Sequence, residues 1–495
     1  MLNLHIDSNL LINRQVFEQL ACLILSGHLQ PGDKLPSTRS LAKSHGISRN
    51  VINMAYDHLS MEGYIEIKRG SGAIVRGLKA PKEANRKSKK NKSKNNIVTL
   101  KPEGVDNRLS AFAKRCFVEE QTKSLKWGFS ENEFEIDFRF GVPYSGESLQ
   151  EHLRKAFSGA TKYIDSYQLD YGDPRGDSRL RKTISDYLAI SRSFHCQPNQ
   201  IIVTQGAQQG FDLIARALLD RKDKVIMEDP RYLGFERIAR LYQADVDHVP
   251  IDGHGLITDE LPLNTRCKLI YVTPTHQFPT GVVLSYDRRQ ALLEYAEKKD
   301  CFILEDDYDS EYQFNGRPVA PLASSSSQRI IYCGSFSKLL SPALRVGFLV
   351  LPELLVGHIA KLKQYMDIGC NRIVQQALAE LLTSGSFGKH LRKTKLRLER
   401  NRNVMLSGLR GKINEPFEVY GTQGGMHMVV KFNDRRRETF YSLREAANQV
   451  GVQIYSPHSF YVKKPEELHL IFGYGHLGED EIREGVRRFV DTINC

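Results

Sequence analysis

Apolar residues Val16, Phe17, Leu20, Ala21, Ile24 and Leu25 recur at helical spacing, and the pattern breaks at Pro31-Gly32. Pro36-Ser37 opens a second helix running through Ser44, with Ser37 as its N-cap and Gly46 as the turn behind it. Ser48 caps a longer helix carrying Val51, Ile52, Ala55, Tyr56 and Leu59, and Gly63 ends it. Residues 64–68 and 73–75 read as two strands joined across Arg69-Gly70-Ser71-Gly72. Periodicity then stops: residues 79–96, KAPKEANRKSKKNKSKNN, hold no aromatic residue and no Val, Ile or Leu. Such a segment cannot bury enough surface to fold and is expected to be a flexible linker. From about Ile136 strand-like and helix-like segments alternate, as in 200–204 before 208–219 and 268–272 before 288–298. Alternation of this kind predicts an α/β domain with a mainly parallel sheet and ligands at the carboxyl ends of its strands. Shorter strands at 426–431 and 468–472, then a helix from about Glu479, mark a smaller C-terminal α+β subdomain over about 390–495.

A chain of 495 residues is too long for one core, which agrees with this division. The expected domains are a head over 1–78, a basic linker and lead-in over 79–130, and a second domain over 131–495. Apolar content of 41% and charged content of 26% are ordinary for a soluble globular protein. No apolar run approaches the ~20 residues of a membrane helix, and MLNLHIDSNLLINR lacks the layout of a signal peptide. The eight cysteines are scattered without a CxxC pair, so neither a metal site nor a disulfide framework is expected. That usage fits a reducing cytoplasm. Net charge is +12, yet residues 79–96 alone carry eight Lys/Arg against one Asp/Glu. The basic excess is therefore local, and it suits attraction to phosphates as well as simple tethering.

Two helices joined by a Gly turn, with a hairpin behind them, make a winged helix-turn-helix pattern. The second helix would enter a major groove by its N-terminal end. Ser48, Arg49 and Asn50 are the candidate base or phosphate contacts, Arg39 a backbone clamp, and Lys68 and Arg69 the wing tip. Helix pattern alone fits any three-helix module. The wording LPSTRSLAKSHGISRNVINMAYDHLSMEGYIEIKRGSGAIV, however, resembles the GntR-type winged helix, which implies double-stranded DNA as a partner.

Further along, SFSKLLSPALR (335–345) follows an apolar strand at 329–333, and ILEDDYDSEY (303–312) ends another strand with acids. TQGAQQGFDLIARALL places Gly206, Ala207 and Gln208 at a helix start, where free N–H groups favour an anion. EDPRYLGF supplies Tyr232. Taken singly these read as surface residues or a core tyrosine. As a set they are what pyridoxal phosphate requires: an amine, an acid for its ring nitrogen, phosphate donors and an aromatic face. Lys338 would be the Schiff-base lysine, with Ser335 and Arg345 on the phosphate. Asp306 would pair with the pyridinium, Tyr308 with the ring hydroxyl, and Tyr232 would cover the ring. Together with YGDPRGDSRLR and THQFPTG these motifs resemble the fold type I aminotransferases, and with the head and basic linker the MocR/GabR family of bacterial regulators. The resemblance implies a homodimer with cofactor sites near the subunit interface and DNA-binding heads swapped onto the partner.

Two positions depart from that family. Phe278 stands where many aminotransferases have the Asn that bonds the ring hydroxyl. His469, in ELHLIFGYG, aligns with their arginine for the substrate carboxylate, so it is the candidate effector contact. A neutral imidazole offers neither the fixed charge nor the fork of arginine. The expected function is a regulator that senses an amine or amino-acid-like effector, or pyridoxal phosphate itself, with at most a weak transamination half-reaction. A working aminotransferase with an accessory DNA-binding head is the alternative, and a cofactor-free scaffold is a third reading.

Overall fold

The computed structural model describes residues 12–25, 28–68, 72–76, 109–121, 134–162, 169–314, 319–325 and 328–494. The expected linker at 79–96 and the wing residue Arg69 lie outside the described residues. The chain divides into two compact units, Met1–Thr99 and Leu100–Cys495.

In the first unit, helices Ile12–Leu25, Thr38–His45 and Arg49–Met61 precede a hairpin of Ile65–Lys68 and Gly72–Val75, paired from Ile65↔Val75 to Lys68↔Gly72. Val16, Leu20, Leu41, Ile52, Leu59, Ile65 and Val75 form its core. Burial of each such side chain contributes about 1.5–3 kcal/mol relative to exposure. Ser37 Oγ accepts the Ser40 N–H at 3.1 Å, and Gly46 closes the helix at φ 67°, a left-handed cap that suits glycine. Tyr56 Oη donates to the Pro36 carbonyl at 2.8 Å and so locks the third helix to the start of the second. Ser48 occupies the expected N-cap position, but its side chain makes no capping bond.

The second unit is built on an eight-stranded sheet. Its order is Ile201–Thr204, Gly347–Val350, Ile330–Ser335, Phe302–Asp307, Cys267–Val272, Lys224–Asp229, Asp245–Asp252 and Gly255–Leu256. The five strands from Ile330–Ser335 to Asp245–Asp252 run parallel. Gly347–Val350 is antiparallel to both neighbours and Gly255–Leu256 to its one, so the sheet is mixed. The connection over 336–346 is too short for a crossover helix, which forces that reversal. Alternate strand residues feed two layers: Leu304 and Ile331 pack with Phe211 and Phe235 on one face, Ile303 and Ile330 with Leu292 on the other. The helices that make these layers include Ala207–Leu218, Leu233–Leu241 and Tyr286–Lys299.

A second, three-stranded antiparallel sheet of Phe417–Tyr420, His427–Arg436 and Glu467–Gly473 packs with helices Ser386–Leu409 and Glu479–Asn494. Ile136–Asp137 pairs in parallel with Val452–Gln453, so the opening segment of the unit is woven into its C-terminal part. The region expected as lead-in also contains a helix, Ala111–Gln121. It rests on the end of Leu233–Leu241, where Phe112 meets Tyr242 at 5.7 Å and Arg115 Nε donates to the Leu241 carbonyl at 3.0 Å. No helix among the described residues is long and apolar enough to cross a membrane.

Candidate functional site

Parallel pairing of Phe302–Asp307 with Ile330–Ser335, Cys333 opposite Asp306, brings the ends of both strands to one edge. Asp306 is buried there and accepts the Tyr271 hydroxyl at 2.5 Å. Burial pushes its carboxyl up to about 7; the charges of Asp307 and Asp309 act in the same direction, the Tyr271 hydrogen bond and Lys338 against it. Lys338, three residues beyond the second strand, donates from Nζ to the Gly141 carbonyl. Burial lowers the pKa of this amine, and Asp309 and then Asp306 work against that shift. The Tyr232 ring lies nearly parallel to that of Tyr271, 18° off at 6.4 Å, and meets Phe278 edge-on at 5.8 Å. Tyr308 Oη is 3.1 Å from His276 Nδ1.

The anion cradle is the turn before Ala207–Leu218. Gly206 holds φ 80°, and no side chain caps the helix, so its first N–H groups remain for another acceptor. Arg345 Nη2 donates to the Gln205 carbonyl at 3.1 Å, and a Cβ on Gly206 would lie 3.1 Å from that same nitrogen. Glycine is thus favoured by the backbone conformation, and any side chain there would crowd the Arg345 guanidinium. Ser335 Oγ accepts the Ser337 N–H at 3.1 Å. The Gln208 side chain turns to the Gly234 carbonyl at 3.1 Å, leaving only its backbone for an anion. Sequence reasoning missed the brace behind this turn. Gln205 N–H donates to Gln209 Oε1 at 2.8 Å, and Gln209 Nε2 to Asp367 at 2.7 Å. Lys363, fully buried, pairs with Asp367 at 2.7 Å. A Lys–Asp pair one helical turn apart usually sits in water, so nothing in the sequence marked it.

The two departures fall in different surroundings. Phe278 is ringed by Phe460 at 4.9 Å, Phe140 and His427 each at 6.0 Å, Tyr232, and Tyr308 at 6.2 Å. His469 is buried in Glu467–Gly473, with Tyr461 Oη 3.4 Å from Nδ1 and the His458 ring at 5.8 Å, and its Nε2 has no partner among the described residues. Burial first, then His458, lowers its pKa to about 4, so the imidazole is neutral near pH 7. In the other unit, Ser48, Arg49 and Asn50 stand exposed together at the start of the third helix, Arg39 is exposed in the first turn of the second, and Lys68 is exposed 3.8 Å from Glu66.

An amine, a buried acid, an aromatic plate and an anion cradle at strand ends form a donor set that fits pyridoxal phosphate. Comparison with known proteins agrees with this chemistry. Residues 144–489 match the family "Aminotransferase class I and II", a pyridoxal-phosphate-dependent fold family, and residues 12–75 match "Bacterial regulatory proteins, gntR family". The chain is 31% identical to the probable rhizopine catabolism regulatory protein MocR of Rhizobium meliloti, over 98% of this chain and 94% of that protein. It is 28% identical to the pyridoxine biosynthesis transcriptional regulator PdxR of Corynebacterium glutamicum, over 98% and 96%. Among solved structures, a multiple substrate aminotransferase from Thermococcus profundus superposes with a TM-score of 0.68 at 26% identity, covering 79% of this chain and 98% of that one. A Pyrococcus horikoshii kynurenine aminotransferase does so with 0.67 at 26%, covering 80% and 96%. The aminotransferase likeness thus ends where the head begins, whereas the likeness to the regulators runs the length of the chain: the protein belongs to the aminotransferase class I and II family and, with its gntR-family head, to the MocR-type transcriptional regulators.

Proposed function

We propose that this protein binds double-stranded DNA through its head (1–78) and holds pyridoxal phosphate on Lys338 in its effector domain (131–495), the segment 79–130 tethering the two. Through that site it senses an amine, or pyridoxal phosphate itself. The observation that carries the reading is the half-buried Lys338 amine on the same strand edge as Asp306, with the Gly206–Arg345 cradle paired through the adjoining strand. When bound, the cofactor supplies an electrophilic aldehyde that condenses with primary amines. Desolvation keeps Lys338 closer to its nucleophilic neutral form. Asp306 holds a proton at the ring nitrogen, Tyr308 orients the ring hydroxyl, and Tyr232 covers the ring and excludes water. Backbone N–H groups of Gly206, Ala207 and Gln208, with Ser335 and Arg345, take the phosphate.

The neutral His469 and the apolar surroundings of Phe278 favour an effector without an α-carboxylate, because neither supplies a fixed positive charge. For the same reason efficient transamination of ordinary amino acids is not expected. Exposed Leu169, Tyr171, Tyr365, Met366 and Ile368 support a homodimer. The last three flank Asp367, which braces the cradle. A reducing cytoplasm suits the free thiols. The test is the visible spectrum of the purified protein before and after borohydride reduction, followed by peptide mapping. A yellow protein labelled at Lys338 supports the reading; a colourless one that takes up no added pyridoxal phosphate overturns it.

Two further results are expected. Arg49→Ala should weaken binding to specific and nonspecific duplexes alike if it contacts phosphate, and flatten the slope of log affinity against log salt by about 1. An unchanged slope together with relaxed sequence preference would assign Arg49 to a base instead. The second concerns pH. The folded Asp306 carboxyl sits at about 7, above its unfolded value, so its cost to the cofactor-free fold is small in acid and grows as pH rises toward 7. A ring cation pairs the anion and removes that cost. The gain in melting temperature on adding pyridoxal phosphate should therefore be larger at pH 8 than at pH 5, and much of that difference should vanish in Asp306→Asn.

A further inference from the structure

Beside Lys338 lies a buried pair that the roles above leave unused. His276 and Asp309 are almost wholly inaccessible, and Nδ1 of the imidazole is 2.9 and 3.0 Å from the two carboxylate oxygens. That geometry puts the ring hydrogen on Nδ1, donated to Asp309. Tyr308 Oη, 3.1 Å from the same nitrogen, then accepts rather than donates, and its own hydrogen is left for an acceptor in the site. The seat of the ring is built for it. A Cβ on Gly425 would overlap the imidazole, and one on Gly281 would fall 2.8 Å from Nε2. Among the described residues the buried Nε2 has no partner, so the hydrogen bonds that hold the ring come from its Nδ1 side.

We propose that Asp309 and His276 form a positioning pair of the cofactor site: His276 fixes the Asp309 carboxylate and the Tyr308 oxygen, and Asp309 holds a fixed negative charge beside them. The pair lies near Phe278, which offers no hydrogen bond from its side chain, and it gives a fixed orientation to Tyr308, whose ring lies 6.2 Å from Phe278. The electrostatics agree: Asp309 acts on Lys338 ahead of Asp306, and on Tyr308 ahead of Asp306, Glu228 and Asp307. Asp309 also acts on Asp306 and on the phenols of Tyr312 and Tyr474, which burial keeps neutral; facing His276 is His427, 5.5 Å from it between ring centres and held neutral by burial, with His276 and Lys338 acting in the same sense. It contributes no competing charge near pH 7.

This inference rests on the cofactor reading, and one titration separates the two. The full chain is loaded with pyridoxal phosphate and its visible absorption is followed against pH. Asp309→Asn removes the anion, so the midpoint should fall by about one pH unit or more, since an opposite charge at close range shifts a pKa by roughly 1–3 units. His276→Phe keeps a ring but loses the N–H, and should move the midpoint in the same direction. His276→Asn keeps a donor near the place of Nδ1 and should leave the midpoint close to that of the unaltered protein, a rescue that a merely space-filling histidine would not show. A loaded Asp309→Asn protein with an unshifted midpoint overturns the proposal. If that variant does not fold, equal midpoints in His276→Phe and His276→Asn overturn it instead. An unaltered protein that develops no visible band defeats the cofactor reading itself, and the proposal with it.

Discussion

Lys338→Ala is expected to abolish the borohydride-fixed label and any response of DNA binding to an added amine, while leaving the fold and basal DNA binding in place. Lys338 stands alone among the residues discussed in joining a desolvated amine to the edge that carries Asp306 and Tyr308. Without it the cofactor is left with noncovalent contacts to the cradle, Asp306 and Tyr232. Its affinity should drop about a hundredfold or more, on the order of 3 kcal/mol. Stability should change little, because an amine that burial already biases toward neutrality contributes weakly as an ion. The measurement is a duplex-binding titration with and without pyridoxal phosphate and a panel of amines, run beside a thermal melt. If the variant still responds to effector as the unaltered protein does, the C-terminal domain works as a scaffold without covalent chemistry. If it fails to fold, Lys338 has a structural role not visible in the hydrogen bond of its side chain to Gly141.

The parts of this molecule legible in the sequence are those whose physics is local. The head follows from helical spacing, the Gly46 turn and the Ser37 cap, all of which act within a few residues. The alternation of strands and helices announced the layered domain, whereas the expectation for Lys338 came only from the set of motifs, since a lone lysine after a strand reads as a surface residue. Illegible parts depend on contacts between distant segments. Nothing around Ile136 announces a parallel partner at Val452, because a two-residue strand has no periodicity to read. The reversal of Gly347–Val350 came from a connection whose length matters only once the neighbours are known. His276 lay in a motif noted for Phe278, and its role emerges only when Asp309, from the loop after another strand, reaches its ring. His469 was placed correctly on a strand, but its burial against Tyr461 and His458 was not foreseeable. The run EDDYD shows the same limit most sharply. Its composition says that acids end a strand, while the pleat decides which of them face the candidate site.

That alternation sets up the second large effect. Asp306 and Asp307 are consecutive, so their side chains leave opposite faces of the sheet. Asp306 meets Tyr271; Asp307 pairs with Arg192 at 3.0 Å, both side chains about 1% exposed. Tyr332 Oη donates to Asp307 at 2.8 Å and Thr275 Oγ1 at 3.3 Å, whereas Arg192 has, among the described residues, the Val319 carbonyl and the charge of Glu311 besides, with Nε and Nη1 unpartnered there. Asp307→Asn therefore removes the strongest counter-charge of a buried cation, leaving it that of Glu311, and should destabilise the effector domain by about 3 kcal/mol. Arg192→Met should cost less, because the orphaned carboxyl keeps two hydroxyl donors and can take up a proton. The double variant Asp307→Leu/Arg192→Met should recover much of the loss, since an apolar pair of similar volume often matches a buried ion pair. Denaturant midpoints of the three proteins test the order, and a single Asp307→Asn as stable as the unaltered chain would show that Arg192 finds its counter-charge elsewhere. Asp306→Asn should behave in the opposite way. It removes a carboxyl that burial already disfavours in the cofactor-free fold, so stability should hold or rise near pH 8 while cofactor affinity falls. Neighbouring acids on one strand would then separate cleanly, one lost to folding and the other to the cofactor, which is the outcome that a strand edge with two faces dictates.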